Sequence, residues 1–363
     1  MEHARFTSWW LSTFVGFCLL QIAVAVGLDP YCVFGIVRFP KQNFEPNSRF
    51  LKIEYLRHRP EFDAFILGSS RASYYGADTA EAVCPGQHRY FNLSVSLENG
   101  IGMRRKVEWL LNHRRLNHVI LNLDFDIQSV PTDALDLLRQ DHPSVTRSSE
   151  LGFYAKYLLF QPRILFLFAS ANLNRDAGHG IAPWNMGNAL PPDSLYPTRP
   201  AVELRRLHAV TLGALRNDLS RLGKTEDRGS LNGIEEFRNT IQLLDRSGVD
   251  RILIIPPYRI DQFASFDIDA LASWLTETVR IAGSVWDFSG LNSVTADPAN
   301  YVDPVHFNRS VGDRVLERAC KTDSTSVDFG VHVTPTNLGA HLHNLQLQHA
   351  RAQQLANLAD RGH

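Results

Sequence analysis

Phe62-Asp63-Ala64-Phe65-Ile66-Leu67-Gly68-Ser69-Ser70-Arg71 (FDAFILGSSR) sets the reading of the whole sequence. Its short apolar run, Phe62 to Leu67, stops abruptly at Gly-Ser-Ser, as strands buried on both faces of a parallel sheet do. Working outward, Tyr90-Phe91-Asn92-Leu93 is a second short run, and GIGMRRKVEWLLNH after it repeats Met103, Val107, Leu110 and Leu111 at helical spacing. Asn117 to Leu123 gives a third strand, ending in Asp124-Phe125-Asp126. Ile234, Phe237, Ile241 and Leu244 make an amphipathic helix closed by Ser247-Gly248, and Arg251 to Ile255 is the next strand, stopped by Pro256-Pro257. A helix over 268–282 and the brief Val285 to Phe288 complete the series. The alternation predicts an α/β fold, a three-layer α/β/α arrangement of flavodoxin type with a mostly parallel sheet and right-handed crossovers. Ligands of such sheets sit at the carboxyl ends of the strands.

The chain has 363 residues, with 37 Lys+Arg against 38 Asp+Glu, so it lacks the basic field that holds a nucleic-acid backbone. Four cysteines and no CxxC or Cys/His zinc spacing exclude a disulfide-framework or zinc-ribbon fold, and no metal or cofactor is expected. The segment Trp9 to Leu28 holds no charge, and a helix of its length spans roughly 30 Å of hydrocarbon. It reads as a single transmembrane anchor following a short segment, 1–8; the competing reading is a cleaved secretory signal, with Ala23-Val24-Ala25 as the cleavage site. Flanking charges do not orient it. In either case Cys32, Cys84 and Cys320 share one side of the membrane, so at least one of them stays free or pairs with another chain, and nothing in the sequence demands a disulfide.

Residues 29–60 read as a tether and residues 61–320 as the main domain. Within the domain, residues 131–230 contain eight of the 18 prolines and form an insertion, a candidate lid. Residues 321–363 are a polar tail with five of the 14 histidines and a helix-forming stretch, Leu338 to Leu358. His341 and His343, two apart, face different sides of that helix, which argues against a metal site.

The chemistry-bearing motif is split. A serine at a strand-to-helix turn can project its hydroxyl above the sheet edge while nearby N–H groups face a forming oxyanion; as a plain turn, Gly68-Ser69-Ser70 would only cap a helix. Near the end of the domain stands Tyr301-Val302-Asp303-Pro304-Val305-His306-Phe307-Asn308, followed by a short helix that Asn308 or Ser310 can cap. Asp and His three residues apart can meet within one turn, leaving the imidazole Nε2 to face a serine delivered by the first strand.

At these residues the sequence resembles the SGNH (GDSL-type) hydrolase superfamily, over roughly residues 62–320. Block I corresponds to ILGSS (66–70), block II to FNLSVS (91–96), block III to LNLDFD (121–126) and the terminal DxxH to DPVH (303–306). The single N-terminal span, Asp29-Pro30-Tyr31, GSSR in place of GDS, and DxxHFN make it similar to the membrane-anchored bacterial branch that includes DltD-like and AlgX/AlgJ-like proteins. The resemblance implies that Ser70 is the nucleophile, His306 the general base and Asp303 its partner. It also implies a location outside the cytoplasmic membrane and action on acyl groups of cell-envelope polymers, with a membrane partner that can supply the acyl group.

The sequence departs from the family at three points. Ser69 replaces the block I Asp, so either serine can be nominated, and Ser70 is preferred because it takes the third motif position. The block III Asn donor falls near Asp126, whose carboxylate cannot donate to an oxyanion, leaving Asp124 and Asp126 as structural or substrate-contacting groups. The block II glycine is missing after Phe91. The oxyanion hole is therefore expected from the Ser70 N–H plus one donor among Asn92, Ser94 and Ser96, with Ser69 beside it. Arg71 can meet an anionic group of the substrate or serve as a salt-bridge partner. The expected activity is that of a serine esterase or O-acyltransferase working through an acyl-serine. The alternative is a catalytically inactive carbohydrate-binding or scaffold module; an amidase or protease lacks any sign of a peptide groove.

Overall fold

The structure, a computed structural model, describes residues 2–29, 33–34, 47–125, 140–159, 226–321 and 328–361. Cys32, Pro30, Tyr31, Asp126 and most of the 131–230 insertion lie outside the described residues, as do residues 322–327 of the tail and His363. In chain order come α1 (Glu2–Leu28), α2 (Ser48–Arg57), β1 (Ala64–Leu67), α3 (Ala77–Val83), β2 (Tyr90–Asn92), α4 (Gly100–His113) and β3 (His118–Asn122). Then follow α5 (Pro143–Thr146), α6 (Glu150–Leu159), α7 (Glu226–Arg246), β4 (Asp250–Ile255), α8 (Ile260–Ala264) and α9 (Ile268–Ala282). The last elements are β5 (Val285–Asp287), α10 (Arg309–Lys321), β6 (Val331–Val333) and α11 (Leu338–Arg361).

The chain divides into two compact units, Met1–His58 with Asp133–Trp184, and Arg59–Thr132 with Asn185–His363. In the first, α1 is long and apolar enough over Arg5–Gly27 to cross a membrane, and its Trp9, Trp10, Leu11 and Phe14 are exposed. Part of the sequence expected as a tether is the helix α2, which is packed rather than extended. Its Phe50 stacks on Phe153 of α6 at 4.7 Å between ring centroids, and its buried Arg49 pairs with Asp141 at 2.9 Å.

The second unit holds a mixed α/β fold on a six-stranded sheet in the order β2-β1-β3-β4-β5-β6. The first five strands run parallel and β6 pairs antiparallel with β5. Strand order reverses between β1 and β3, because the chain leaves β1 for β2 on one side and comes back to β3 on the other. That is where open sheets of this type bind ligands. Ala64, Ile66, Tyr90, Ile120, Ile254 and Trp286 point to one face and share a core with Ala77 and Ala80 of α3 and Val311, Val315 and Leu316 of α10. The alternate residues Phe65, Leu67, Phe91, Val119, Leu121, Leu253 and Ile255 are buried as well. Double burial explains why these strands read as unbroken apolar runs.

Helix ends follow from local chemistry. The Asn99 side chain accepts from Gly102 N–H at 2.9 Å to start α4, and the Asp267 side chain accepts from Asp269 and Ala270 N–H at 3.0 Å each to start α9. Gly283, at φ +83°, ends α9. The region set apart as a polar tail supplies β6 and the helix α11, where the His341 ring meets Asp287 at the end of β5 at 2.7 Å. Residues 331–361 are thus part of the sheet unit. A disulfide joins Cys84, just after α3, to Cys320 of α10.

At the opposite, amino-terminal end of the strands, buried His118 pairs its Nδ1 with the Tyr90 hydroxyl at 2.8 Å, under the ring of His88. Burial, then the neighbouring His88, lowers its pKa to about 4 against the partial support of Asp250 and Asp63. The unfolded chain, where the ring titrates near 6.5, therefore binds the extra proton first. The contribution is complete above pH 6.5 and is lost as pH falls to about 4, at most about 3 kcal/mol. Urea midpoints of the full chain in detergent should drop across that window, and less steeply in His118→Asn; equal slopes would refute the assignment.

Candidate active site

The site begins where β1 runs out. Gly68 takes φ +151°, a backbone conformation that side chains rarely allow, and a Cβ there would lie 2.6 Å from Cβ of Asn122 at the end of β3. Only glycine lets the two strand ends approach this closely. Ser69 follows in extended conformation, and its buried hydroxyl accepts from Arg71 N–H at 3.3 Å, capping a 3₁₀ turn over Ser70–Tyr74. Ser69 is thereby the cap, and the partly exposed Ser70 is the serine presented. The Ser70 N–H belongs to the first turn, whose donors have no partner within the helix.

The other half of the motif is a tight loop. Tyr301 and Phe307 form an isolated antiparallel bridge, and Val302 N–H donates to His306 O at 2.9 Å, so residues 302–306 are pinched at the base. Asp303 Oδ1 accepts from the N–H groups of Val305 at 2.7 Å and His306 at 2.8 Å. Asp303 Oδ2 sits 2.7 Å from His306 Nδ1, and His306 Nε2 sits 2.8 Å from Ser70 Oγ. Burial raises the Asp303 pKa, but the His306 hydrogen bond and charge and the two backbone donors outweigh it and hold the carboxyl below its ordinary range. The carboxylate is thus ionised where it can orient a neutral imidazole and steady a charged one. Asn308 caps α10 by accepting from Val311 N–H at 3.0 Å, so Ser310 is not the cap. Gly312 lets α10 close on the serine turn: a Cβ there would lie 2.0 Å from the Tyr74 carbonyl oxygen.

The remaining sequence-derived candidates have other partners. Arg71 does not present its charge to a ligand. It is 1% exposed, its Nε donates to Val305 O at 3.0 Å and its Nη1 to Asp124 Oδ1 at 2.7 Å, and it lies 4.8 Å from the Tyr258 ring centroid. Asn92 is not an oxyanion donor. Its amide is committed to Ala72 O at 2.8 Å and Tyr75 O at 2.9 Å, bracing the 3₁₀ turn from β2. The Ser94 N–H and hydroxyl both reach Asn92 Oδ1, at 3.0 and 2.6 Å, which removes Ser94 from that role too. Ser96 is half-buried on the segment that starts beside Gly68, where Val95 N–H donates to Gly68 O at 3.1 Å.

Asp124 is buried against Arg71 and also accepts from Asn122 Nδ2 at 2.8 Å; the Asn122 side-chain carbonyl in turn takes the Tyr75 hydroxyl at 2.8 Å. Its charge is compensated before it can oppose a developing oxyanion. Asn122, Tyr75 and Tyr258 are the supporting residues that sequence reasoning missed. Asn122 stands within LNLDFD and Tyr258 directly after Pro256-Pro257, so strand-end position was their available signal. The sequence matches no known family model and no curated protein.

Proposed function

We propose that this chain is a membrane-anchored serine esterase or O-acyltransferase of SGNH type, acting on acyl esters of a cell-envelope glycan or another acylated polymer. One observation carries the reading: two segments 236 residues apart place Ser70 Oγ, both ring nitrogens of His306 and Asp303 Oδ2 in a continuous hydrogen-bonded line. A serine, a base and an oriented carboxylate at the carboxyl ends of a parallel sheet are the parts of nucleophilic acyl transfer. Burial of both strand faces supports the three-layer arrangement of that superfamily. The Cys84–Cys320 bridge supports a domain facing the oxidising side of the membrane, outside the cytoplasm.

In this reading Ser70 Oγ attacks the ester carbonyl carbon as His306 Nε2 takes the hydroxyl proton. The tetrahedral oxyanion faces the Ser70 N–H, the alkoxide leaves with the proton from His306, and an acyl-serine remains. Water or a glycan hydroxyl, giving its proton to His306, then attacks the acyl carbon; the bond from that carbon to Ser70 Oγ breaks, and Oγ takes the proton back from His306. Either acceptor fits the same triad, and a membrane partner delivering acyl groups would favour transfer.

The binding-module reading keeps one observation on its side: with the donors of Asn92 and Ser94 committed elsewhere, the Ser70 N–H is the one oxyanion donor identified among the described residues. A serine-directed fluorophosphonate decides between the two. The full chain in detergent should take up one adduct, located on Ser70 by mass spectrometry, and Ser70→Ala should take up none. An unlabelled native protein favours the binding module; an adduct that persists in Ser70→Ala moves the nucleophile elsewhere.

A further inference from the structure

The local bonds of the 302–306 loop shape it, but none of them ties it to β1. Two adjacent residues of the serine turn do. Ser70 reaches His306 Nε2, and Arg71, its backbone N–H capped on Ser69, reaches the Val305 carbonyl between the two motif residues of the loop. The other edge of the same guanidinium is spent on Asp124 at the end of β3, and its face lies against Tyr258 beyond β4. A planar fork can serve two acceptors in different directions while stacking on a ring; a lysine ammonium on its flexible stem cannot hold that geometry.

Burying a full ion pair carries a large desolvation cost, and an apolar pair of similar volume often leaves a protein equally stable. Arg71 is 1% exposed and Asp124 4%, so stability alone is a weak reason for the pair, and geometry is the stronger one. We propose that Arg71 is a positioning residue: held by Asp124, it locks the base loop onto the serine turn so that His306 Nε2 meets Ser70 Oγ. The proposal rests on reading Ser70, His306 and Asp303 as an acyl-transfer triad.

Removing Arg71 alone strands a buried carboxylate, so the test uses Arg71→Met/Asp124→Asn. In that protein the two charges vanish together, and the amide oxygen that replaces the carboxylate would still accept from Asn122 Nδ2. Fluorophosphonate labelling of the full chain in detergent should keep its concentration for half-saturation, while the maximal rate falls about 10²-fold, the cost of roughly 1 Å of misplacement. Arg71→Lys should not restore it. Labelling of the double variant within about threefold of the native rate would overturn the proposal.

A second measurement needs no turnover. The His306 ring signals by NMR should shift when Ser70→Ala is introduced into the native chain, and should not shift when it is introduced into the double variant. An equal shift in both backgrounds would also overturn the proposal. If the native chain takes no label yet the NMR pattern is as expected, the positioning role stands and the catalytic reading falls.

Discussion

His306→Ala is expected to slow acylation of Ser70 by about 10⁶-fold and Asp303→Asn by about 10⁴-fold. The first variant removes the proposed acceptor of the hydroxyl proton, and among the described residues no other imidazole bonds Ser70. The second is the more informative. Asp303 Oδ1 accepts two backbone N–H groups, a duty an amide oxygen can keep, so the loop retains its shape. The position of Oδ2 would then carry an NH₂ group facing His306 Nδ1. That nitrogen must become an acceptor, which moves the ring proton to Nε2 and turns a donor toward Ser70. The ring stays in place in the wrong tautomer. Rates of fluorophosphonate labelling, with circular dichroism to confirm the fold, measure both effects. An Asp303→Asn protein within about tenfold of the native rate would show that the carboxylate orients nothing.

Cys84→Ser/Cys320→Ser is expected to cost about 2–5 kcal/mol, read as a lower urea midpoint. The bridge spans 236 residues, the same separation as Ser70 and His306. It therefore closes a long loop of the unfolded chain, and it joins the helix beyond the serine turn to the helix beyond the base loop. Both half-cystines are buried in the core that includes Ala80 and Ala319, so reductant should act on the unfolded protein far faster than on the folded one. Identical midpoints with and without reductant would remove the bridge from the account of stability.

The five parallel strands were legible in the sequence because burial on two faces removes the polar alternation that blurs other strands. The bounds of α4 and α9 were legible because their spacing and ends are local. β6 was not: Val331-His332-Val333 is three residues long and half-exposed, and it joins the sheet because α11 docks on Asp287 through His341. Nor did the cysteine count choose among partners, since pairing is a property of helix packing. At the site, the meeting of Ser70, His306 and Asp303 could be read because each half carries its own signature. The sequence leaves Arg71 open between a substrate anion and an ion-pair partner, and Asp124 between a structural and a substrate-contacting role, because it shows which residues end a strand but not which loop folds over them. Asn92 is one of three donor candidates in the sequence for the same reason: the turn whose carbonyls take its amide donors follows a different strand.

The covalent link beyond each half of the site makes the polypeptide from Cys84 to Cys320 a closed ring, with Ser70 on the stem leading in and His306 inside it. A single break in the backbone anywhere within that ring would yield two fragments that cannot diffuse apart. Ser70 and His306 would still travel as one molecule, so a chain clipped by a protease would keep both halves of the site together until the bridge was reduced.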